Sequence, residues 1–262
     1  MTLDRRAARS LLAFWADAGV ENLYEADPVD RTRREAPASV SARRAPVAIE
    51  LTARSGTIDE GSLALDLARA PGDIEALAAA IASFDGCALK TQGSRQAVFY
   101  RGAAPAPVMI IGEAPGAEED AQGAPFVGRA GRLLDLMLAA AGLEGRVFIT
   151  NTVFWRPPGN RTPTRAEQAV CSPFLEKAID LIRPKFLLLV GASSAGSLLA
   201  AKDGILSLRG RWFEWRGMHF DLEVPALPTL HPAFLLRQPS AKKLAWRDLM
   251  LLAERLDRAD RP

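Results

Sequence analysis

A chain of 262 residues, 48% hydrophobic and with a formal net charge of only +2, has apolar matter for one sizeable α/β domain and an appendage. Its balanced charge excludes a molecule-wide basic field, so any surface for a polyanion has to be local. No run approaches the roughly 18 uncharged apolar residues of a membrane span, and the N-terminus carries Asp4 and Asp17 instead of a secretion signal, which predicts a cytoplasmic protein with no membrane partner.

In chain order, residues 6–18 have helical spacing of apolar residues and stop at a glycine. Residues 25–55, rich in Pro, Arg, Ala and Ser, have no sustained period and read as a mobile linker or as an ordinary exposed loop. The helical pattern "DIEALAAAIASF" then opens the compact part. The division expected is residues 1–70 as N-terminal helix and flexible linker, and residues 71–262 as the domain. Within that domain "VFYRG", "VMIIG", "VFITNTV", "FLLLVG" and "LPTL" read as strands, and "AGRLLDLMLAAAGL", "AEQAVCSPFLEKAIDLI" and "AKKLAWRDLMLLAERL" as helices. Short apolar strands alternating with helices predict a three-layer α/β/α fold around a mainly parallel sheet, with ligands at the carboxyl ends of the strands. "GEAPG", "NTVFWRPPGN" and "LHPAFLLR" each follow such an end, so three motifs converge on one crevice.

Taken singly, each motif has an ordinary reading. "GEAPG" is neither a dinucleotide fingerprint nor a phosphate loop, which argues against a nucleotide cofactor and leaves a tight turn or a binding turn. Asn151 is a strand-end cap or a carboxamide that reads the edge of a base. Phe126, between Pro125 and Gly128, is a core residue or a platform for a planar ring. His231, pinned by Pro232, is structural or is held against a ligand, whereas His219 has strand-like neighbours and reads as a surface or sheet residue. Glu118 and Asp120 read as capping or loop-supporting acids. Arg156, Arg161 and Arg165 are solvated loop cations or DNA contacts.

Together, "GEAPGAEEDAQGAPFVGRAGRLLDLML", "ITNTVFWRPPGNRTPT", "PKFLLLVG" and "LHPAFLLRQPSAKKLAWRDL" closely resemble the motifs of the type 4 uracil-DNA glycosylases of bacteria and archaea, in the family's order and over roughly residues 80–255. The resemblance implies a four-stranded, mainly parallel sheet between helices, DNA as partner, and hydrolysis of the glycosidic bond of a flipped-out uracil in base-excision repair. It implies that Glu113 positions the attacking water and stabilises the sugar cation, and that His231 donates to uracil O2. Phe126 would stack on the base, Asn151 would read its O4 and N3–H, and the backbone at Gly112 and Ala114 would complete the pocket. Leu235 and Leu236 are wedge candidates, one of them expected to be core. Arg237, Lys242, Lys243 and Arg161 are candidate contacts to DNA.

The chain also departs from that family, whose members carry four cysteines binding a [4Fe-4S] cluster. Here Phe84 and Trp155 stand at two of those positions and only Cys87 and Cys171 remain, so no cluster or other metal is expected and the two aromatics are expected to fill its volume. Cys87 and Cys171 are too few for a disulfide framework or a CxxC knuckle. No histidine lies between Gly128 and Asn151, where a related group carries one for covalent trapping of uracil-DNA, so turnover is expected. Two alternatives stay open: specificity shifted to hypoxanthine or xanthine, and a non-catalytic uracil-DNA-binding protein. No repeat implies an oligomer, so a monomer is expected, with downstream repair proteins as further partners.

Overall fold

The computed structural model describes residues 60–259. The helix expected over 6–18 and the linker over 25–55 lie outside the described residues. In chain order the elements are α1 (Glu60–Arg69), α2 (Ile74–Ser83), α3 (Ala88–Thr91), β1 (Arg101–Gly102), β2 (Val108–Gly112), α4 (Ala117–Gln122), α5 (Arg129–Ala140) and β3 (Val147–Asn151). Then follow α6 (Arg165–Ile182), β4 (Phe186–Val190), α7 (Ala192–Leu198), α8 (Ile205–Leu208), β5 (Phe213–Arg216), β6 (Glu223–Thr229), α9 (Pro232–Arg237) and α10 (Lys242–Ala259).

Strands β2, β3 and β4 are buried at every position, which is why they read as unbroken apolar runs and not as alternating ones. The sheet order is β1-β3-β2-β4-β6-β5. Its four central strands are parallel, as expected, and β1 and β5 add antiparallel edges. The edge β5, "FEWR", alternates covered residues, half-buried Phe213 and buried Trp215, with exposed ones and so carries no apolar run to announce it. Met109 and Ile111 point to one face with Phe148, among residues of α1, α2, α6 and α7. Val108, Ile110 and Ile149 point to the other, against Leu134 and Leu138 of α5 and Leu249, Leu252 and Leu256 of α10. These are the three layers of an α/β/α fold.

Residues 60–69, placed by sequence ahead of the domain, form α1, which packs on α6 and buries Ala64 and Ala68 in the larger core. The small alanines bring α1 close to its neighbour but give a weak hydropathy signal. His219 lies in the turn between β5 and β6, not on a strand, and its N–H donates to the buried Glu176 carboxylate at 2.7 Å. No helix among the described residues is long and apolar enough to cross a membrane.

Candidate active site

Parallel register sets Gly112, the last residue of β2, directly beside Asn151, the last of β3. Asn151 is 1% exposed, yet its Oδ1 has no hydrogen-bond partner among the described residues. An ideal Cβ on Gly112 would fall 2.4 Å from that oxygen and 2.5 Å from Phe126 Cζ, so a glycine is required where the carboxamide and the ring approach the strand exit. The exit itself is fixed: Thr152 N–H donates to the Gly112 carbonyl at 3.0 Å and Thr152 Oγ1 to the Glu113 carbonyl at 2.6 Å. Glu113 and Ala114 follow, partly buried, and the Glu113 carboxylate has no ion pair among the described residues.

Phe126, 6% exposed, holds a φ of 55°, a conformation that costs an aromatic residue on the order of 1–3 kcal/mol unless its surroundings impose it. They do. Arg101 Nε donates to the Pro125 carbonyl at 2.7 Å and Nη2 to the Phe126 carbonyl at 3.2 Å, while Asp135 anchors the guanidinium at 2.7 Å. Gly131 on α5 lies under the same turn, where a Cβ would overlap the Phe126 carbonyl. Sequence reading missed Arg101, since one cation in a strand-like run carries no local signal.

His231 is the N-cap of α9, and its Nδ1 accepts the Ala233 N–H at 3.1 Å. Pro232 at the first helical position sets the backbone for this cap. The imidazole stacks on Phe126, ring centroids 5.6 Å apart and planes 29° from parallel. The side chain passes close over Gly191, where a Cβ would lie 3.2 Å from His231 Cβ. Burial first, and the Arg237 cation second, lower its pKa to about 4, against an opposing pull from Glu119. The imidazole is therefore neutral at pH 7. With Nδ1 accepting, the ring proton sits on Nε2 and is free to be donated.

Glu119 joins two of these segments, accepting the Gly116 N–H at 3.1 Å and the Gly128 N–H at 2.9 Å. Asp120 is 2% exposed and supports the neighbouring loop, accepting from Ser94 Oγ at 2.9 Å and Arg95 N–H at 2.8 Å.

Among the candidate DNA contacts, Leu235 is fully buried against Leu230 and Ala245, which removes it as a wedge, while Leu236 is 38% exposed. Arg237, Lys242 and Lys243 are exposed. Arg161 is committed elsewhere: its two terminal nitrogens reach the two Glu167 oxygens at 2.9 and 2.6 Å, and this fork holds the Glu167 carboxyl down at about 2. A groove of about 1490 Å³ bounded by α1, α6 and α7 includes Arg165, Ser193 and His219 but none of Gly112, Glu113, Phe126, Asn151 or His231. The unpartnered Asn151 oxygen lies outside this groove.

Trp155 belongs to a buried apolar cluster with Phe84, Phe154 and Phe174. Phe84 and Trp155 are each 1% exposed, their centroids 6.4 Å apart, and Phe84 meets Phe174 edge-on at 5.2 Å. The buried thiols of Cys87 and Cys171 act on each other: the neighbouring thiol lowers the pKa of Cys87, and the same interaction together with burial raises that of Cys171. No group of three or more His, Cys, Asp or Glu among the described residues is placed to hold a metal ion. Two thiols and two aromatic rings do not fit a cluster that takes four thiolates.

The family model described as the uracil DNA glycosylase superfamily matches residues 99–251. Among curated relatives, the chain is 39% identical over 194 residues to a type-4 uracil-DNA glycosylase of Pyrobaculum aerophilum, covering 71% of this chain and 96% of the relative. It is 39% identical over 155 residues to that of Sulfurisphaera tokodaii, covering 57% and 70%, and 42% identical over 135 residues to that of Thermotoga maritima, covering 51% and 68%.

Proposed function

The chain belongs to the uracil DNA glycosylase superfamily, and from that premise we propose that it is a monofunctional glycosylase that flips uracil out of DNA and hydrolyses its N-glycosidic bond, working without an iron-sulfur cluster. The observation that carries the reading is the buried Asn151 Oδ1, without a partner, beside Gly112 and the Phe126 ring. A buried acceptor left unpaired costs about 1–3 kcal/mol, so it favours a ligand bearing an N–H, as uracil does at N3. The carboxamide matches uracil and mismatches the exocyclic amine of cytosine, which would leave a buried group unpaired.

Bond cleavage builds positive charge on the sugar and negative charge on the departing base. Neutral His231, with its proton on Nε2, supplies a donor for uracil O2 as that charge grows. Glu113 supplies an anion for the sugar cation and an acceptor that orients water. Phe126 stacks on the extruded ring. Leu236 is the wedge into the vacated stack, with Arg237, Lys242 and Lys243 on the phosphates. In this reading the protein is a cytoplasmic monomer in base-excision repair, its glycosylase domain starting with α1.

The test is release of free uracil from a uracil-containing oligonucleotide by purified protein in EDTA, beside Glu113→Ala and His231→Leu. Excision by the wild type that falls about 10²-fold or more in either variant supports the assignment. Intact DNA binding with no uracil release would overturn it and direct the search to hypoxanthine, xanthine or a binding role.

A further inference from the structure

We propose that Glu119 is a positioning residue that locks the two walls of the base pocket to each other, an inference that rests on the glycosylase reading above. One wall is the turn carrying Glu113, which ends at Gly116; the other is the turn carrying Phe126, which ends at Gly128. Oε2 of Glu119 accepts the Gly116 N–H at 3.1 Å, and Oε1 accepts the Gly128 N–H at 2.9 Å. Within its own short helix, α4, Glu119 is the acid of the capping box. An ordinary capping box returns only to its own N-cap, whereas here the second oxygen crosses to the N-cap of α5.

Both glycines are shaped to this contact. A Cβ on Gly116 would lie 2.7 Å from Glu119 Oε2 and force it to move, and one on Gly128 would lie 3.1 Å from Glu118 Oε1 and 3.2 Å from Glu119 Oε1, so that both carboxylates must give way by a few tenths of an ångström. Glu119 is only partly exposed and has no cation partner among the described residues; its charge is held by the two N–H groups. The adjacent Glu118 is exposed and sits 3.7 Å from Arg132. The Phe126 turn is thus gripped from two sides, Arg101 on its carbonyls and Glu119 on the following N–H. Arg237 and Glu119 act on the pKa of His231 with opposite sign, the first lowering it and the second raising it.

The chemistry requires the Glu113 carboxylate and the Phe126 ring to keep one separation while the base enters between them. A misplacement of about 1 Å in such a site lowers the rate about 10²-fold. Glu119→Gln keeps shape but has one acceptor and a donor that repels the second N–H, so one wall is released. Gly128→Ala, at a backbone φ of −77° that alanine adopts freely, crowds the same contact with Glu119 intact, and because its Cβ also meets Glu118, the Glu118→Gln control separates the two carboxylates.

Single-turnover excision from a uracil-containing single-stranded oligonucleotide is expected to slow at least about tenfold in Glu119→Gln and in Gly128→Ala, with KM held within about threefold, and to stay within about twofold in Glu118→Gln. Nuclear magnetic resonance should show faster amide exchange at Gly116 or Gly128 and an altered His231 ring-proton shift, as the Phe126 ring current moves, in the first two variants only. A wild-type rate in Glu119→Gln, or unchanged exchange at both glycines, overturns the proposal. If the wild type releases no uracil, the glycosylase reading fails, while the exchange and ring shift still decide the clamp.

Discussion

Replacing Asn151 by leucine should make the protein more stable and inactive at once. The side chain is 1% exposed and its Oδ1 is unpaired, so the folded protein carries an acceptor stripped of water with nothing in return. That cost is about 1–3 kcal/mol, and leucine, branched at the same carbon, has no acceptor to strand. Some of the gain is lost to the larger leucine methyls, because the contact at Gly112 is already tight. A net stabilisation of about 1 kcal/mol remains, which for a domain of this size raises Tm by about 2–4 °C. Uracil loses its partner at N3 and O4, so release should slow by at least about 10²-fold. Calorimetry and a uracil-release assay read the two effects separately. A lower Tm would show that Oδ1 is satisfied in the free protein, and retained excision would show that Asn151 does not read the base; either result refutes the reasoning.

Other expectations follow from the same geometry. Leu235→Ala should lower stability by about 2–5 kcal/mol, because the residue is fully buried, whereas Leu236→Ala should leave Tm unchanged and slow excision from duplex DNA more than from single strands. Arg161→Ala should act mainly on stability: without the guanidinium the Glu167 carboxyl rises from about 2 toward its ordinary value, and because a depressed carboxylate stabilises above its unfolded pKa and loses that contribution as pH falls through the folded one, the variant should lose the wild type's extra resistance between about pH 4.5 and 2 in acid titrations. His231 has the opposite charge type: it is neutral when folded down to about pH 4 but protonates near 6.5 when unfolded, so the unfolded chain binds the extra proton between those values and stability rises with pH across that window. Between pH 5 and 7 this amounts to about 2 kcal/mol, which His231→Asn should abolish in denaturant titrations at those two pH values.

The sheet was legible because β2, β3 and β4 are buried on both faces and so write unbroken apolar runs. The crevice was legible because parallel strands leave their carboxyl ends on one side, and the breakers at Gly112, Asn151 and His231 fall there. What stayed hidden depends on partners distant in sequence. The place of α1 turns on two alanines that mean nothing until α6 is beside them, and Arg101 acts through carbonyls that only a left-handed Phe126 exposes to it. Arg161 looked like a free loop cation because its acid, Glu167, also completes the cap of α6 with Thr164. Leu235 and Leu236 are adjacent and chemically identical, so only the angle at which α9 meets α10 decides which one is core.

The base-reading residue and the aromatic cluster share one stretch of chain. Asn151 ends β3, and Val153, Phe154 and Trp155 follow it into the larger core, each no more than 1% exposed. The orientation of the Asn151 carboxamide therefore depends on how firmly the next four residues are held. Phe84, Phe154 and Phe174 grip this region through edge and tilted contacts with one another and with Trp155. Trp155→Ala removes the largest of these rings, at a cost of about 3–5 kcal/mol, and leaves a void into which the segment relaxes. Excision should then fall further than the lost stability alone explains, measured well below Tm, although Trp155 touches none of Gly112, Phe126 or His231. Trp155→Phe, which keeps an aromatic anchor, should recover most of the rate. Equal and full activity in both variants would mean that the strand alone fixes Asn151, and that the aromatic core serves stability without serving the site.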